Sequence, residues 1–98
     1  MSDPLFPHLF QPLTLRGKVI RNRIMSTGHD TCLPEHGLVN EAYIAYQEAR
    51  AKGGAGLIVT QVAGVHETAR YTSHRIMAAS DDCIPGYAEL ARRCHAHG

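Results

Sequence analysis

The sequence reads as an α/β chain forming the N-terminal part of a (β/α)8 TIM barrel. The expected pieces are an N-terminal hairpin and two βα units, with the barrel incomplete. Three observations carry that expectation. Strand-like apolar runs alternate with amphipathic helical segments. The run GAGLIVTQVAGV, residues 54–65, does not alternate polar with apolar, which suits a strand buried on both faces of a parallel sheet. From Ile24 to Gly56 is 32 residues, the span of a right-handed βαβ unit of about 30 or more.

The elements follow in order. Residues 4–12, PLFPHLFQP, alternate proline with large apolar groups and read as an extended arm packed by Leu5, Phe6, Leu9 and Phe10. Leu13-Thr14-Leu15 and Val19-Ile20 flank Arg16-Gly17-Lys18, a glycine turn that predicts a small hairpin. Arg23 to Ser26 begins the first core strand, which ends in Thr27-Gly28. Asn40 is an N-cap for a helix over Glu41 to Lys52. Ala42, Ala45, Tyr46 and Ala49 share one helical face there, and Gly53-Gly54 stops the helix. A second helix follows Pro85, with Tyr87, Leu90, Ala91 and Cys94 on one face and Gly98 at its C-terminal cap.

Two parallel strands leave both sheet edges bare, and parallel sheets need covered faces or closure. A (β/α)8 barrel takes about 250 residues, so these 98 are expected to be the N-terminal piece of a larger protein. Alone, the piece is expected to self-associate, giving a homo-oligomer.

Composition narrows the function classes. Ten Lys and Arg against nine Asp and Glu leave a net charge of +1 without a basic block. That balance argues against nucleic acid and anionic membrane as partners and leaves a small-molecule substrate. No apolar leader or membrane-length stretch is seen. Cys32, Cys83 and Cys94 form no CxxC pair and read as free thiols of a cytoplasmic protein. There is no GxGxxG dinucleotide fingerprint. His29, Cys32 and His36 lack the second ligand pair of a zinc site, as do Cys94, His95 and His97, so no metal is expected.

The opening LFPHLFQPLTLRGKVIRNRIMS resembles the N-terminus of the old yellow enzyme family, the FMN-dependent NADH:flavin oxidoreductases. AYQEARAKGGAGLIVTQVAGV, residues 45–65, is similar to that family's second unit, and DDCIPGYAELARRCHAHG, residues 81–98, to its second helix. The resemblance implies an FMN-binding domain fragment over residues 1–98. It also implies hydride transfer through FMN, to an activated alkene or from an N-methylated amine, with NAD(P)H as a donor. Any iron-sulfur cluster would use cysteines beyond this chain. A truncated, non-catalytic barrel fragment that binds no flavin is the alternative.

Thr27, Gly28, His29 and Asp30 fall where typical ene-reductases of the family carry a Ser/Ala-Pro-Met/Leu-Cys/Thr stretch. His29 is instead similar to the amine-oxidising branch, which includes trimethylamine dehydrogenase and demethylases of N-methylated amino acids. In trimethylamine dehydrogenase the residue matching Asp30 is a cysteine bonded to FMN; Asp30 forms no thioether and Cys32 lies two positions off, so non-covalent FMN is expected. Proline being family-typical at 28, Gly28→Pro is expected to be better tolerated than His29→Ala for flavin reduction. The resemblance implies flavin contacts from Thr27, Gly28, His29 and Val62, with Asp30 beside the ring or substrate.

Barrel sites gather at the C-terminal ends of strands, and glycine at 28 allows close backbone approach. On the residues alone, Thr27-Gly28 also reads as the ordinary start of a βα loop. His29 reads either as an exposed loop histidine or as a hydrogen-bond donor to reduced flavin. His66 to Arg75, with Arg70 and Tyr71, reads as a solvated loop or as a wall of the substrate pocket. Gln61 is a neutral amide where the family often has Glu. Tyr43 and Tyr46 read as packing residues. Catalytic acid and base groups are expected after Gly98, leaving His29 and Asp30 as the candidates within this chain.

Overall fold

The computed structural model describes residues 4–69 and 74–98. Strands β1 (Leu13–Leu15) and β2 (Lys18–Ile20) form the antiparallel hairpin. Its turn places Arg16 and Gly17 at φ 47° and 83°, the left-handed region that glycine enters without steric cost. The preceding arm is turned rather than extended: the Gln11 amide donates to the His8 carbonyl at 3.3 Å. Leu5, Phe6 and Leu9 are exposed, so the arm does not pack as expected, although Phe6 and Phe10 meet edge-on at 6.3 Å.

β3 (Met25–Ser26) pairs in parallel with β4 (Leu57–Ile58) across helix α1 (Glu41–Lys52), which makes the βαβ unit. The first strand is shorter than the expected 23–26. Arg23 donates its amide to Leu9, and the Ile24 amide goes to the buried Asn22 side chain, which also reaches the Gly54 carbonyl at 2.6 Å. Those bonds seat the hairpin under the joint between α1 and β4.

The long apolar run divides. Leu57–Ile58 stays on β3, whereas β5 (Ala63–Gly64) pairs in parallel with β6 (Ile76–Met77), a strand the sequence reading lacked. The break falls at Gln61, whose backbone N–H donates to the Tyr43 hydroxyl at 2.9 Å rather than to a strand. Burial on both faces is not realised: Leu57 and Val59 remain 40% and 44% exposed. The described strands form three two-stranded sheets and no closed barrel. The radius of gyration, 15.2 Å, exceeds the roughly 13 Å of a closed domain this long.

Helix α1 starts where expected, the Asn40 side chain accepting from the Tyr43 amide at 3.0 Å. Its end differs slightly: Gly53 stays right-handed and Gly54 takes φ +114°. Its buried face also differs. Tyr43, Ile44, Gln47 and Ala51 are buried, while Ala42, Ala45 and Ala49 are exposed and Tyr46 is half-buried. Aromatic and branched side chains bury more apolar area than alanines, so they win the inward face. Helix α2 (Ile84–His95) has Pro85 in its first turn and caps at Ala96, two residues before the expected Gly98. Of its expected face Leu90 is buried, Tyr87 and Cys94 are half-buried, and Ala91 is exposed. The core is Tyr43, Ile44, Ile76 and Leu90.

Arg93 joins the two helices, reaching Glu41 at 2.6 Å and Glu48 at 2.7 Å. Hydrogen bonds from Arg93 and then His97 hold the Glu48 carboxyl below its ordinary value, and the two carboxylates raise Arg93. Burial pushes the Cys94 thiol up and the Tyr87 phenol up to about 12. No helix among the described residues is long and apolar enough to cross a membrane.

Candidate functional site

Because β3 and β4 run in parallel with Ser26 opposite Ile58, the segments leaving them emerge at the same end. The ladder closes with the Val59 amide on the Ser26 carbonyl at 2.9 Å. Beyond it lie Thr27, Gly28, His29 and Asp30 from one strand and Thr60 to Val62 from the other. All four residues of the first segment are exposed, as is Val62 at 51%. A Cβ on Gly28 would lie 2.6 Å from the Thr60 carbonyl oxygen and 3.4 Å from a Val59 methyl. The close approach expected at this glycine is made by the neighbouring strand. Any side chain at 28, proline included, would press on that backbone carbonyl.

The loops behind these tips are pinned from below. Gln61 is 2% exposed; its side-chain oxygen accepts from the Thr31 hydroxyl at 2.8 Å and the Thr31 amide at 3.3 Å. Its side-chain nitrogen donates to the His74 carbonyl at 3.4 Å. The buried Tyr43 hydroxyl accepts from the Gln61 amide and from the Gln47 side chain at 2.8 Å. Tyr43 therefore packs in the core and also anchors the second tip. Thr31 was not legible as a site residue. The signal was the lone amide of Gln61 in an apolar run, since a buried polar group must find partners.

His29 is held from α1. One ring nitrogen, Nε2, bonds the Tyr46 hydroxyl, and Nδ1 lies 3.2 Å from the Thr27 carbonyl oxygen. The two rings meet edge-on at 5.8 Å. Tyr46 stacks on Tyr43 at 6.3 Å, and the Arg50 guanidinium carbon sits 3.4 Å over its ring. Among the described residues, no three His, Cys, Asp or Glu side chains gather where a metal ion could be held. Arg70 and Tyr71 lie outside the described residues; Arg75 donates to the Ala69 carbonyl at 3.0 Å.

A flavin ring presents polar atoms along one edge and an apolar face. Among the described residues the Thr27 and Gly28 amides bond to nothing, and the Thr27 hydroxyl is likewise unengaged. These donors, next to Val59 and Thr60 of the neighbouring segment, suit the polar edge of such a group.

A family model described as the NADH:flavin oxidoreductase / NADH oxidase family matches residues 8–98. The chain belongs to that family. It is 33% identical over 98 residues to a probable N-methylproline demethylase of Rhizobium meliloti, covering 99% of this chain and 14% of that protein. A multifunctional alkene reductase/demethylase OYE of Caballeronia cordobensis is 36% identical over 100 residues, with the same coverage of 99% and 14%. Among solved structures, 2-naphthoyl-CoA reductase in complex with 2-naphthoyl-CoA superposes with a TM-score of 0.90 at 24% identity, over 95% of this chain and 14% of that one. That likeness is one of fold. The chain spans about a seventh of the length of these two relatives.

Proposed function

We propose that the chain supplies the hairpin and first two βα units of an FMN-dependent oxidoreductase barrel, with the flavin lying against the shared tip of β3 and β4. The parallel pairing that brings Thr27-Gly28 and Thr60–Val62 to one end, with donor groups unengaged, carries this reading. Thr27 and Gly28 would offer N–H groups to the polar edge of the ring, Val62 an apolar contact, and His29 a flanking ring. Asp30 would stand beside the ring or the substrate. FMN, when bound, supplies hydride acceptance and donation. The chain's own part is to orient that edge and to exclude water on one side. An activated alkene or an N-methylated amine is the substrate class, the relatives' names covering both reductase and demethylase, with NAD(P)H as a donor.

A second reading rests on exposed apolar side chains. Met25, Leu57, Val59 and Val62 are each at least 40% exposed, a surface that favours self-association of the chain alone without flavin.

Adding the full chain to FMN distinguishes them. Quenched flavin fluorescence, lost in Gly28→Ala but kept in Arg16→Ala at the hairpin turn, is the expected result. Unquenched flavin with sedimentation as an oligomer would overturn the flavin site and support the second reading.

A further inference from the structure

The geometry points to Tyr46 as a positioning residue that fixes the tautomer and orientation of His29. This rests on the reading that the β3 and β4 tips form the flavin site.

The argument starts from what each atom can do. A carbonyl oxygen only accepts, so the contact from the Thr27 carbonyl to Nδ1 at 3.2 Å places the ring hydrogen on Nδ1. A neutral imidazole carries one N–H, so Nε2 is left with a lone pair. The Tyr46 hydroxyl must then be the donor in its bond to Nε2.

Tyr46 is itself built in. Its ring lies 13° from parallel with that of Tyr43, which is fully buried and accepts two hydrogen bonds. Arg50 covers its face and donates to the Tyr46 carbonyl at 2.8 Å, fixing the guanidinium where it stacks. A stack of three side chains from consecutive turns of α1 thus aims one phenol at the tip of β3.

The consequence reaches the site. With both nitrogens bonded inside the chain, His29 stands at the flavin pocket as an immobilised ring whose two nitrogens are already engaged. A ligand that takes a hydrogen bond from His29 must first displace Tyr46 or Thr27. On this inference His29 serves the site through its shape and orientation.

Imidazole 1H–15N spectra of the full chain, labelled with 15N-histidine and free of flavin, test this. His29 resonances are identified by their loss in His29→Ala. Above the imidazole titration range the proton is expected on Nδ1. In Tyr46→Phe, which keeps the stack and removes only the hydroxyl, the proton should shift towards Nε2, the form free histidine prefers in water. A wild-type Nε2–H tautomer, or a tautomer unmoved by Tyr46→Phe, would overturn the inference. Should that variant not fold, the wild-type tautomer and an Overhauser contact between the His29 and Tyr46 rings decide alone. No flavin enters the measurement, so failure of FMN to bind would sink the proposed function and leave this result standing.

Discussion

Gly28 and Thr60 are in contact across the β3–β4 tip: a Cβ on Gly28 would stand 2.6 Å from the Thr60 carbonyl oxygen. The absent side chain is a condition of the strand spacing, because backbone offers no flexible end to move aside. Gly28→Ala and Gly28→Pro should each destabilise the fold by about 1–3 kcal/mol, the usual cost of forcing packed elements apart. His29→Ala, on an exposed side chain, should cost less. Urea unfolding of the three variants measures the order.

Arg21 ties the C-terminal ends of both helices to the hairpin. Its guanidinium donates to the Ala51 carbonyl at 2.7 Å, to Ala55 at 3.0 Å, and to the His97 carbonyl beyond α2. A cation there also complements the partial negative charge at helix C-termini. Arg21→Met should lower stability by about 2–3 kcal/mol, since charged hydrogen bonds are among the stronger ones. Arg21→Lys should recover only part of that, because a compact ammonium does not span the same fork of carbonyls. Denaturation midpoints of the two variants provide the check.

The Glu48–Arg93 contact gives the helix pair an acid limit. Glu48 is held below its ordinary value of 4.5, with the Arg93 hydrogen bond the largest cause. A depressed carboxyl contributes stability that is full above the unfolded value and is lost as pH falls through the folded one. Thermal midpoints should therefore hold at neutral pH and fall as the solution is taken below about 4.5. Glu48→Gln should flatten that acid limb. Glu89→Gln should change it far less, because the Glu89–Arg92 pair is exposed on both sides.

Tyr87 carries a buried hydroxyl with no hydrogen-bond partner among the described residues. Its removal in Tyr87→Phe should leave stability unchanged or raise it by about 1 kcal/mol, since an unsatisfied buried donor is costly. Burial is the largest cause of its phenol being pushed up to about 12 from 10.0. A raised group contributes stability present below the unfolded value and lost as pH rises through the folded one. Alkaline titration by near-ultraviolet absorbance, set against that of Tyr87→Phe, should show the Tyr87 phenol ionising above the ordinary 10.0.

Some of this was legible in local sequence. Asn40 as a cap and the glycine pair after Lys52 delimit α1 because capping depends on atoms within one turn. The hairpin follows from Arg16-Gly17, and the βαβ unit from the spacing of apolar runs. The strand tip with Thr27, Gly28 and His29 follows from where the first run ends.

Other features needed partners far along the chain. Which face of α1 turns inward is decided by Tyr43 and Ile44 against Leu90 and Ile76, and the polar Gln47 on the same buried face hides it from an apolar count. The division of residues 54–65 depends on the Tyr43 hydroxyl capturing the Gln61 amide, and β6 is two residues with no periodicity to read. The roles of Gly28 and His29 likewise belong to Thr60 and Tyr46. By itself the sequence determined the elements and their order, because helix caps and turns are local interactions. Only the tertiary structure decided which atoms at the strand tips remain available, because hydrogen-bond capacity is settled by whichever distant group arrives to use it.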